Sequence, residues 1–233
     1  MLCRRFLCEV NPVNPLSPAL SLLFPQENAC HFCERFLPDG GFLCGVCRAA
    51  LEAEQLENPL MQRSLFPLEA CLSAYRYSGM AKELIHYLKY RSDCALADVF
   101  AAGMLMALVQ NHALYREIDL VIPVPLHASR LYERGYNQAE YLARAMAAPA
   151  RLPVRASLLA RTYATATQIG RTRVQRITAL RDAFAVTDPS AVRGRCILLV
   201  DDVFTTGATA IACAEPLKRA GAREVALITA CRA

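Results

Sequence analysis

One continuous segment constrains the fold of this chain more than any other. Residues 196–200 form an apolar run, followed by Asp201 and Asp202, by the hydroxyl-rich residues 205–209, and by a helical pattern from Ala208 to about Ala220. Such a run predicts a central strand of a parallel sheet covered on both faces. Ligands bind at the carboxyl ends of such strands, and a helix start favours a phosphate. Because two adjacent carboxylates can accept hydrogen bonds from vicinal sugar hydroxyls, the segment predicts a ribose 5-phosphate site.

Two other nucleotide-binding patterns include an apolar strand or glycines near a helix start. A nucleoside triphosphatase would use this strand as its Walker B segment and would need an upstream Gly-x-x-x-x-Gly-Lys-Ser/Thr loop. No glycine in this chain is followed by lysine. A dinucleotide-binding fingerprint needs two glycines two residues apart, and the chain has no such pair. The sequence therefore argues against both patterns.

The composition is that of a globular protein with a sizeable core. With 233 residues, of which 55% are hydrophobic, the chain can form one α/β domain with a small appendage. Its apolar stretches are interrupted before about 18 residues, so no membrane span is expected. The first residues have two arginines but no sustained apolar region, which argues against a secretory signal. The odd number of cysteines, 11, then favours a reducing, cytoplasmic location and metal binding over a disulfide framework.

Positive charge is concentrated between Tyr141 and Arg181. This stretch has eight arginines and no acidic residue. The arginines are Arg144, Arg151, Arg155, Arg161, Arg171, Arg173, Arg176 and Arg181. Solvated helix faces usually mix both signs of charge, so the absence of acids indicates an anionic partner. Diphosphate, nucleic acid or both would fit, since arginine forms forked contacts with phosphate groups.

Four cysteines near the start of the chain have the spacing of a metal site. Cys30 and Cys33 form one Cys-x-x-Cys pair, and Cys44 with Cys47 forms another after ten intervening residues. Four thiolates in a tetrahedral arrangement make a closed structural Zn²⁺ site with no open position for chemistry. Too few apolar residues lie between the pairs for independent folding, so the metal would supply stability. A redox Cys-x-x-Cys pair or unrelated buried cysteines are the alternatives.

Strands alternate with helices along the rest of the chain, which predicts a mostly parallel α/β sheet with helices on both faces. Helices are predicted at 46–57, 79–90, 95–109 and 137–146, and strands at 71–77, 119–125 and 224–228. We expect three parts: a lead-in at 1–27, the zinc ribbon and its following helix at 28–60, and the α/β domain at 61–233.

A second candidate anion site follows the predicted strand at 119–125. A Pro-Val-Pro turn leads into Arg130, Arg134 and a glycine turn before the next helix. Both arginines could face a diphosphate, whose charge a bound Mg²⁺ ion would partly neutralise. Alternatively, the arginines form surface ion pairs with Glu133 or Glu140.

The chain resembles the ComF family of competence-associated proteins, which includes the GntX-like members. The matching pieces are the four-cysteine ribbon, Leu-Lys-Tyr at 88–90, residues 123–139, residues 161–168 with Arg176, and the Asp-Asp-Val-Phe-Thr-Thr-Gly-Ala-Thr segment at 201–209. That last segment is similar to the motif with which type I phosphoribosyltransferases bind 5-phosphoribosyl 1-diphosphate (PRPP). The resemblance implies a type I phosphoribosyltransferase-like sheet with an N-terminal zinc ribbon.

The resemblance also implies roles for individual residues. Asp201 and Asp202 would be the catalytic carboxylates that hold the ribose hydroxyls. The 5-phosphate would bind to Thr205, Thr206, Gly207, Ala208 and Thr209. Arg161, Thr165 and Gln168 would belong to a mobile loop that closes over PRPP.

Membership of this family would imply a PRPP-binding protein associated with natural transformation or the use of external DNA. Its partners would be PRPP, single-stranded DNA and DNA-uptake proteins. The alternative is an active phosphoribosyltransferase of nucleotide metabolism whose acceptor is not evident from the sequence.

Overall fold

A computed structural model describes residues 29–38, 40–61, 65–91, 95–161 and 183–233. The helices are α1 (Gly45–Glu52), α2 (Gly79–Tyr90), α3 (Leu96–Gln110), α4 (His112–Glu117), α5 (Ala128–Arg134), α6 (Gln138–Ala150), α7 (Pro189–Val192) and α8 (Ala208–Arg219). The strands are β1 (Ala70–Arg76), β2 (Leu120–Pro123), β3 (Leu159–Arg161), β4 (Phe184–Val186), β5 (Cys196–Phe204) and β6 (Glu224–Arg232). The predicted lead-in at 1–27 lies outside the described residues.

Four strands form a parallel sheet in the order β1-β6-β5-β2. Nearly every residue of β1, β5 and β6 is buried, whichever side of the sheet it faces. Continuous burial is the property expected of parallel strands covered on both faces. The short strands β3 and β4 form a separate antiparallel pair.

Helices cover both faces of this sheet. The core on one face includes residues of α2, α3 and α6, while the core on the other face includes residues of α8 together with β3 and β4. The predicted α/β class, with a parallel sheet and helices on both faces, is therefore confirmed. Within the described residues, no helix is long and apolar enough to cross a membrane.

Several element boundaries differ from the sequence-based expectation because tertiary pairing decides them. The predicted helix at 46–57 ends at Glu52, since the following chain turns to run beside β1, where the Leu56 N–H donates to the Ala74 carbonyl. The strand predicted at 224–228 continues to Arg232 because β6 has partners on both sides. The helix predicted at 137–146 continues to Ala150 and ends where Arg151 adopts a left-handed conformation.

The four-cysteine ribbon packs directly against the helices of the sheet. Its buried residues belong to the same core as α2 and α3. These residues are Cys30, Leu37, Leu43, Cys44, Cys47 and Leu51. The Phe32 ring also lies 5.4 Å from the Tyr87 ring on α2. The ribbon and the sheet domain therefore share one core.

Candidate functional site

Neighbouring strands β2 and β5 send the chain to opposite faces of the sheet. After β2 the chain reaches α6 on one face, and after β5 it enters α8 on the other. Such a reversal creates a crevice at the carboxyl ends of the strands, where open α/β sheets bind ligands. Asp201 and Asp202 follow Val200, the last β5 residue in register with β2. Both carboxylates therefore lie at this crevice.

Residues 205–209 form a hydroxyl-rich loop, called the threonine loop below, which leads from β5 into α8. Gly207 has φ 80°, and a Cβ atom at this position would lie 3.1 Å from the Phe204 ring. This left-handed conformation is one that glycine adopts without steric cost. The loop, with Asp201 and Thr229, lines a small cavity at the start of α8, and the side chains of Thr205 and Thr206 are exposed there. The helix start and exposed hydroxyls suit a phosphate group.

Asp201 faces this cavity. It is half-buried, its Oδ1 accepts a 2.9 Å hydrogen bond from the Asp202 N–H, and it is in register with Thr229 on β6. Burial, with the added repulsion of Asp202, raises the pKa of the Asp201 carboxyl to about 7, against the opposing effects of the Asp202 N–H and of Lys89. Asp201 is therefore a carboxyl group whose charge changes near neutral pH.

Asp202 faces the other side of the sheet and has different surroundings. Only 5% of this residue is exposed. Its Oδ1 lies 3.1 Å from Lys89 Nζ on α2, and its Oδ2 accepts a 2.7 Å hydrogen bond from Gln138 Nε2 on α6. A buried carboxylate needs such partners because desolvation otherwise disfavours its charge. The two neighbouring aspartates are therefore held in two distinct environments.

A basic cavity of about 320 Å³ is connected to Asp202 through Lys89. Its lining residues are Lys89, Tyr90, Arg130, Glu133 and Arg134. The three cations against one carboxylate favour an anion. Lys89 belongs both to this cavity and to the ion pair with Asp202.

Local contacts hold this part of the chain in place. Gly135, with φ 75°, ends α5. The Tyr136 hydroxyl donates to the Leu88 carbonyl, and Asn137 Nδ2 donates a 3.0 Å hydrogen bond to the Val124 carbonyl. The segment after β2 is thereby tied to the end of α2, which carries Lys89.

The alternative role predicted for Arg130 and Arg134 is to form surface ion pairs with Glu133 or Glu140. Glu140 is paired with Arg144 at 2.7 Å. Arg134 instead donates a 3.1 Å hydrogen bond from Nη1 to Gln138 Oε1.

Arg161, the first of the predicted mobile-loop residues, ends β3. It is half-buried, with its guanidinium carbon 5.3 Å from the centre of the Phe184 ring. Burial lowers its pKa, with a further contribution from Arg130 that Cys213 opposes. Thr165 and Gln168 lie outside the described residues.

The four predicted ligand cysteines come together in space. All four Sγ atoms lie within 4.8 Å of one another, and those of Cys33 and Cys44 are 3.6 Å apart. A tetrahedral zinc site with Zn–S distances of about 2.3 Å requires S···S separations of roughly 3.8 Å. Burial raises the pKa of the Cys30 thiol, but hydrogen bonds from nearby backbone N–H groups outweigh this and lower it to about 6. The cluster fits a metal such as zinc.

Known proteins of two kinds share sequence with this chain over most of its length. No protein-family model matches it. The DNA utilization protein YhgH of Salmonella typhimurium is 30% identical over 217 residues, which cover 91% of this chain and 94% of that protein. Competence protein ComFC of Bacillus subtilis is 29% identical over 82% of this chain and 78% of its own length. Competence protein F of Haemophilus influenzae is 26% identical over 88% of this chain and 90% of its own length. The chain belongs to the ComF family.

Solved structures similar to this ComF-family chain include two larger enzymes. Glutamine phosphoribosylpyrophosphate amidotransferase of B. subtilis is 22% identical with a TM-score of 0.41, over 58% of this chain and 26% of that chain. UMP synthase of Leishmania donovani is 15% identical with a TM-score of 0.37, over 79% of this chain and 30% of that chain.

In this ComF-family chain the predicted residues of the sheet domain fall into two groups. Asp201 lines the cavity of the threonine loop, and Arg130 with Arg134 lines the basic cavity, which Lys89 links to Asp202. The four cysteines form a separate cluster. Sequence reasoning did not assign roles to Lys89 and Gln138. Both lie in segments that carried the family resemblance, but only the folded chain shows that they contact Asp202.

Proposed function

We propose that this chain is a PRPP-binding, phosphoribosyltransferase-like protein that acts in DNA uptake or in the use of external DNA. The observation that carries the proposal is the meeting of three features at one edge of the sheet: the threonine loop, the two aspartates and the basic cavity. These features match the three parts of PRPP, which are a 5-phosphate, a ribose with two free hydroxyls, and a diphosphate.

Each part of PRPP has a proposed partner in this arrangement. Residues 205–209 would hold the 5-phosphate through backbone N–H groups and hydroxyls. Asp201 and Asp202 would accept hydrogen bonds from the ribose hydroxyls, and Arg130 with Arg134 would bind the diphosphate. Mg²⁺ binds substrate phosphates together with one or two carboxylates, and Glu133 in the basic cavity offers one. When bound, the ion would neutralise part of the diphosphate charge.

An active phosphoribosyltransferase of nucleotide metabolism is the second candidate. Its supporting observation is that Asp202 is paired with Lys89, which lines a cavity suited to the leaving diphosphate. In such a reaction the bond from ribose C1 to diphosphate oxygen breaks, and positive charge develops on the ribose ring. The two carboxylates would stabilise that charge electrostatically. Release of diphosphate from PRPP in the presence of candidate acceptors distinguishes this enzyme from a binding protein.

The DNA-related part of the proposal has its own support. Relatives of this chain are named for competence and for DNA utilization. Aromatic and arginine side chains also alternate around the end of α2: the Arg91 guanidinium lies 3.9 Å from the Tyr87 ring centre, and that of Arg134 lies 5.1 Å from the Tyr90 ring centre. Tyr132 on α5 is 92% exposed. Exposed aromatics among cations are typical of surfaces that bind single strands. Cytosolic handling of incoming DNA, alongside DNA-uptake proteins, would fit this combination.

Calorimetry with PRPP and Mg²⁺ tests the PRPP site. Changing Asp201 and Asp202 together to Ala should weaken PRPP binding by at least about 2 kcal/mol, because hydrogen bonds to charged groups are worth roughly 1.5–3 kcal/mol each. Glu83→Ala, which removes an exposed carboxylate from α2, is the control and should bind PRPP as the parent does. Equal PRPP affinity in the folded double variant and the parent would sink the assignment.

A further inference from the structure

A continuous polar network links the basic cavity to the buried aspartate. Arg134 Nη1 donates to Gln138 Oε1 at 3.1 Å, and Gln138 Nε2 donates to Asp202 Oδ2 at 2.7 Å. The other oxygen of Asp202 lies 3.1 Å from Lys89 Nζ. An ionised carboxylate only accepts hydrogen bonds and a guanidinium only donates them. The amide of Gln138 therefore has one orientation that satisfies both of its neighbours.

Lys89 has a different position in this network from Gln138. Gln138 is 4% exposed and is held between Arg134 and Asp202. The side chain of Lys89 is 20% exposed and also lines the basic cavity with Arg130 and Arg134. An ammonium group has three donors on a flexible stem. Lys89 can thus turn towards an anion in the cavity, while Gln138 continues to hold Asp202 in place.

We propose, on the basis of the PRPP-binding function above, that Lys89 is a shared ligand that passes from Asp202 to the diphosphate when the diphosphate binds. A polyanion in the cavity attracts the ammonium more strongly than one carboxylate does, since the interaction scales with charge. Its departure leaves Asp202 Oδ1 free to accept a ribose hydroxyl. Occupation of the diphosphate cavity therefore increases the affinity for the ribose phosphate, and by linkage the reverse also holds.

Calorimetry with two separate probes measures this coupling. Ribose 5-phosphate and inorganic diphosphate are titrated alone and then each in the presence of the other, in magnesium-containing buffer. In the parent protein, saturating diphosphate should lower the Kd of ribose 5-phosphate at least about fivefold, the lower end of typical couplings between sites. In Lys89→Met that ratio should fall to about one, and the Kd of diphosphate should rise. Lys82→Met, which removes an exposed lysine from the same helix, should retain the parental ratio.

A second variant is needed to distinguish loss of binding from misfolding, because Lys89→Met leaves the buried Asp202 without its cation. The double variant Lys89→Met/Asp202→Asn removes both charges and should also bind diphosphate weakly with no coupling. An unchanged Kd for diphosphate in the two Lys89 variants, or an unchanged coupling ratio in them, would show that Lys89 is only a structural partner of Asp202 and would overturn this inference alone. If neither probe binds the parent protein, the proposed function itself fails, and the inference falls with it.

Discussion

Gly207 shows how one residue shapes the threonine loop. Its φ of 80° lies in the left-handed region, and its missing side chain leaves room for the Phe204 ring. Gly194 has a similar φ of 72° but no atom within 4 Å of where a Cβ would lie. Both positions therefore require a left-handed backbone conformation, but only Gly207 also lacks the space for a side chain.

Alanine at these two glycines separates the loop's role in binding from backbone strain. Both Gly207→Ala and Gly194→Ala should destabilise the fold by roughly 1–2 kcal/mol, the cost of the left-handed conformation for an L-residue. Only Gly207→Ala also forces the Phe204 ring or the loop to shift, so only this variant should lose PRPP affinity, by at least about tenfold, or roughly 1.4 kcal/mol. Thermal unfolding and PRPP calorimetry check the pair. Similar losses of affinity in both variants would contradict the role assigned to the loop.

At the scale of elements, α2 connects the ribbon to the candidate site. Its start contacts the chain after α1, where Ser78 Oγ donates a 2.5 Å hydrogen bond to Glu54 Oε2. Its middle packs against the ribbon through Tyr87 and Phe32, and its end carries Lys89. Because Cys30, Cys44 and Cys47 are buried in the same core as α2, loss of a bound metal should destabilise α2 as well as the ribbon.

Removal of two metal ligands tests this expectation. Changing Cys30 and Cys33 to Ser should reduce the zinc content from about one ion per chain to none, because structural zinc affinity depends on all its thiolates. The unfolding midpoint should fall by roughly 4–8 °C, which corresponds to about 2 kcal/mol for a protein of this size. Elemental analysis and thermal unfolding provide the readouts. Cys71→Ala, at a buried cysteine outside the cluster, should retain the zinc; full zinc content in the double variant would reject the metal site.

At the scale of the whole molecule, the arginines between Tyr141 and Arg181 do not form a single uniform surface. Arg144 is paired with Glu140, and Arg161 is half-buried beside Phe184. Arg151 and Arg155 are exposed. The other four arginines of this stretch lie outside the described residues. The described arginines with freely exposed charge are therefore better candidates for nucleic-acid contacts than Arg161.

Salt titrations of single-stranded DNA binding distinguish contacts between arginines and phosphates from stacking of bases on tyrosines. Binding should weaken steeply with salt, and Arg151→Ser/Arg155→Ser should flatten the slope of log K against log salt by about 1.4, since each lost phosphate contact accounts for roughly 0.7. Tyr90→Ala/Tyr132→Ala should instead weaken binding at every salt concentration with little change in slope, because stacking releases no counterions. Fluorescence anisotropy measures both effects. Absence of binding at about 50 mM salt, where such contacts are strong, would remove the DNA-binding part of the proposal.

Features encoded in contiguous residues could be predicted well. The apolar run, the threonine loop and α8 follow one another in the chain, so their local pattern sufficed to predict a strand, a turn and a helix in that order. The paired cysteine spacing likewise predicted the four-sulfur cluster, because short turns bring each pair together. The end of α1 was predicted less well, since pairing of residues 55–60 with β1 overrides helical propensity there.

The sequence by itself determined the chemical groups of the candidate site, because the aspartates, the threonine loop and the cysteine pairs each lie within a few residues of one another. Only the tertiary structure decided on which side of the sheet each group lies and which residues it contacts. The two aspartates face opposite sides of β5, because successive side chains alternate across a strand. Gln138, which is 64 residues from Asp202 in sequence, and Lys89 reach that carboxylate only because the strand order places α2 and α6 on the same face. Such long-range contacts depend on the packing of the whole sheet, which no local sequence pattern encodes.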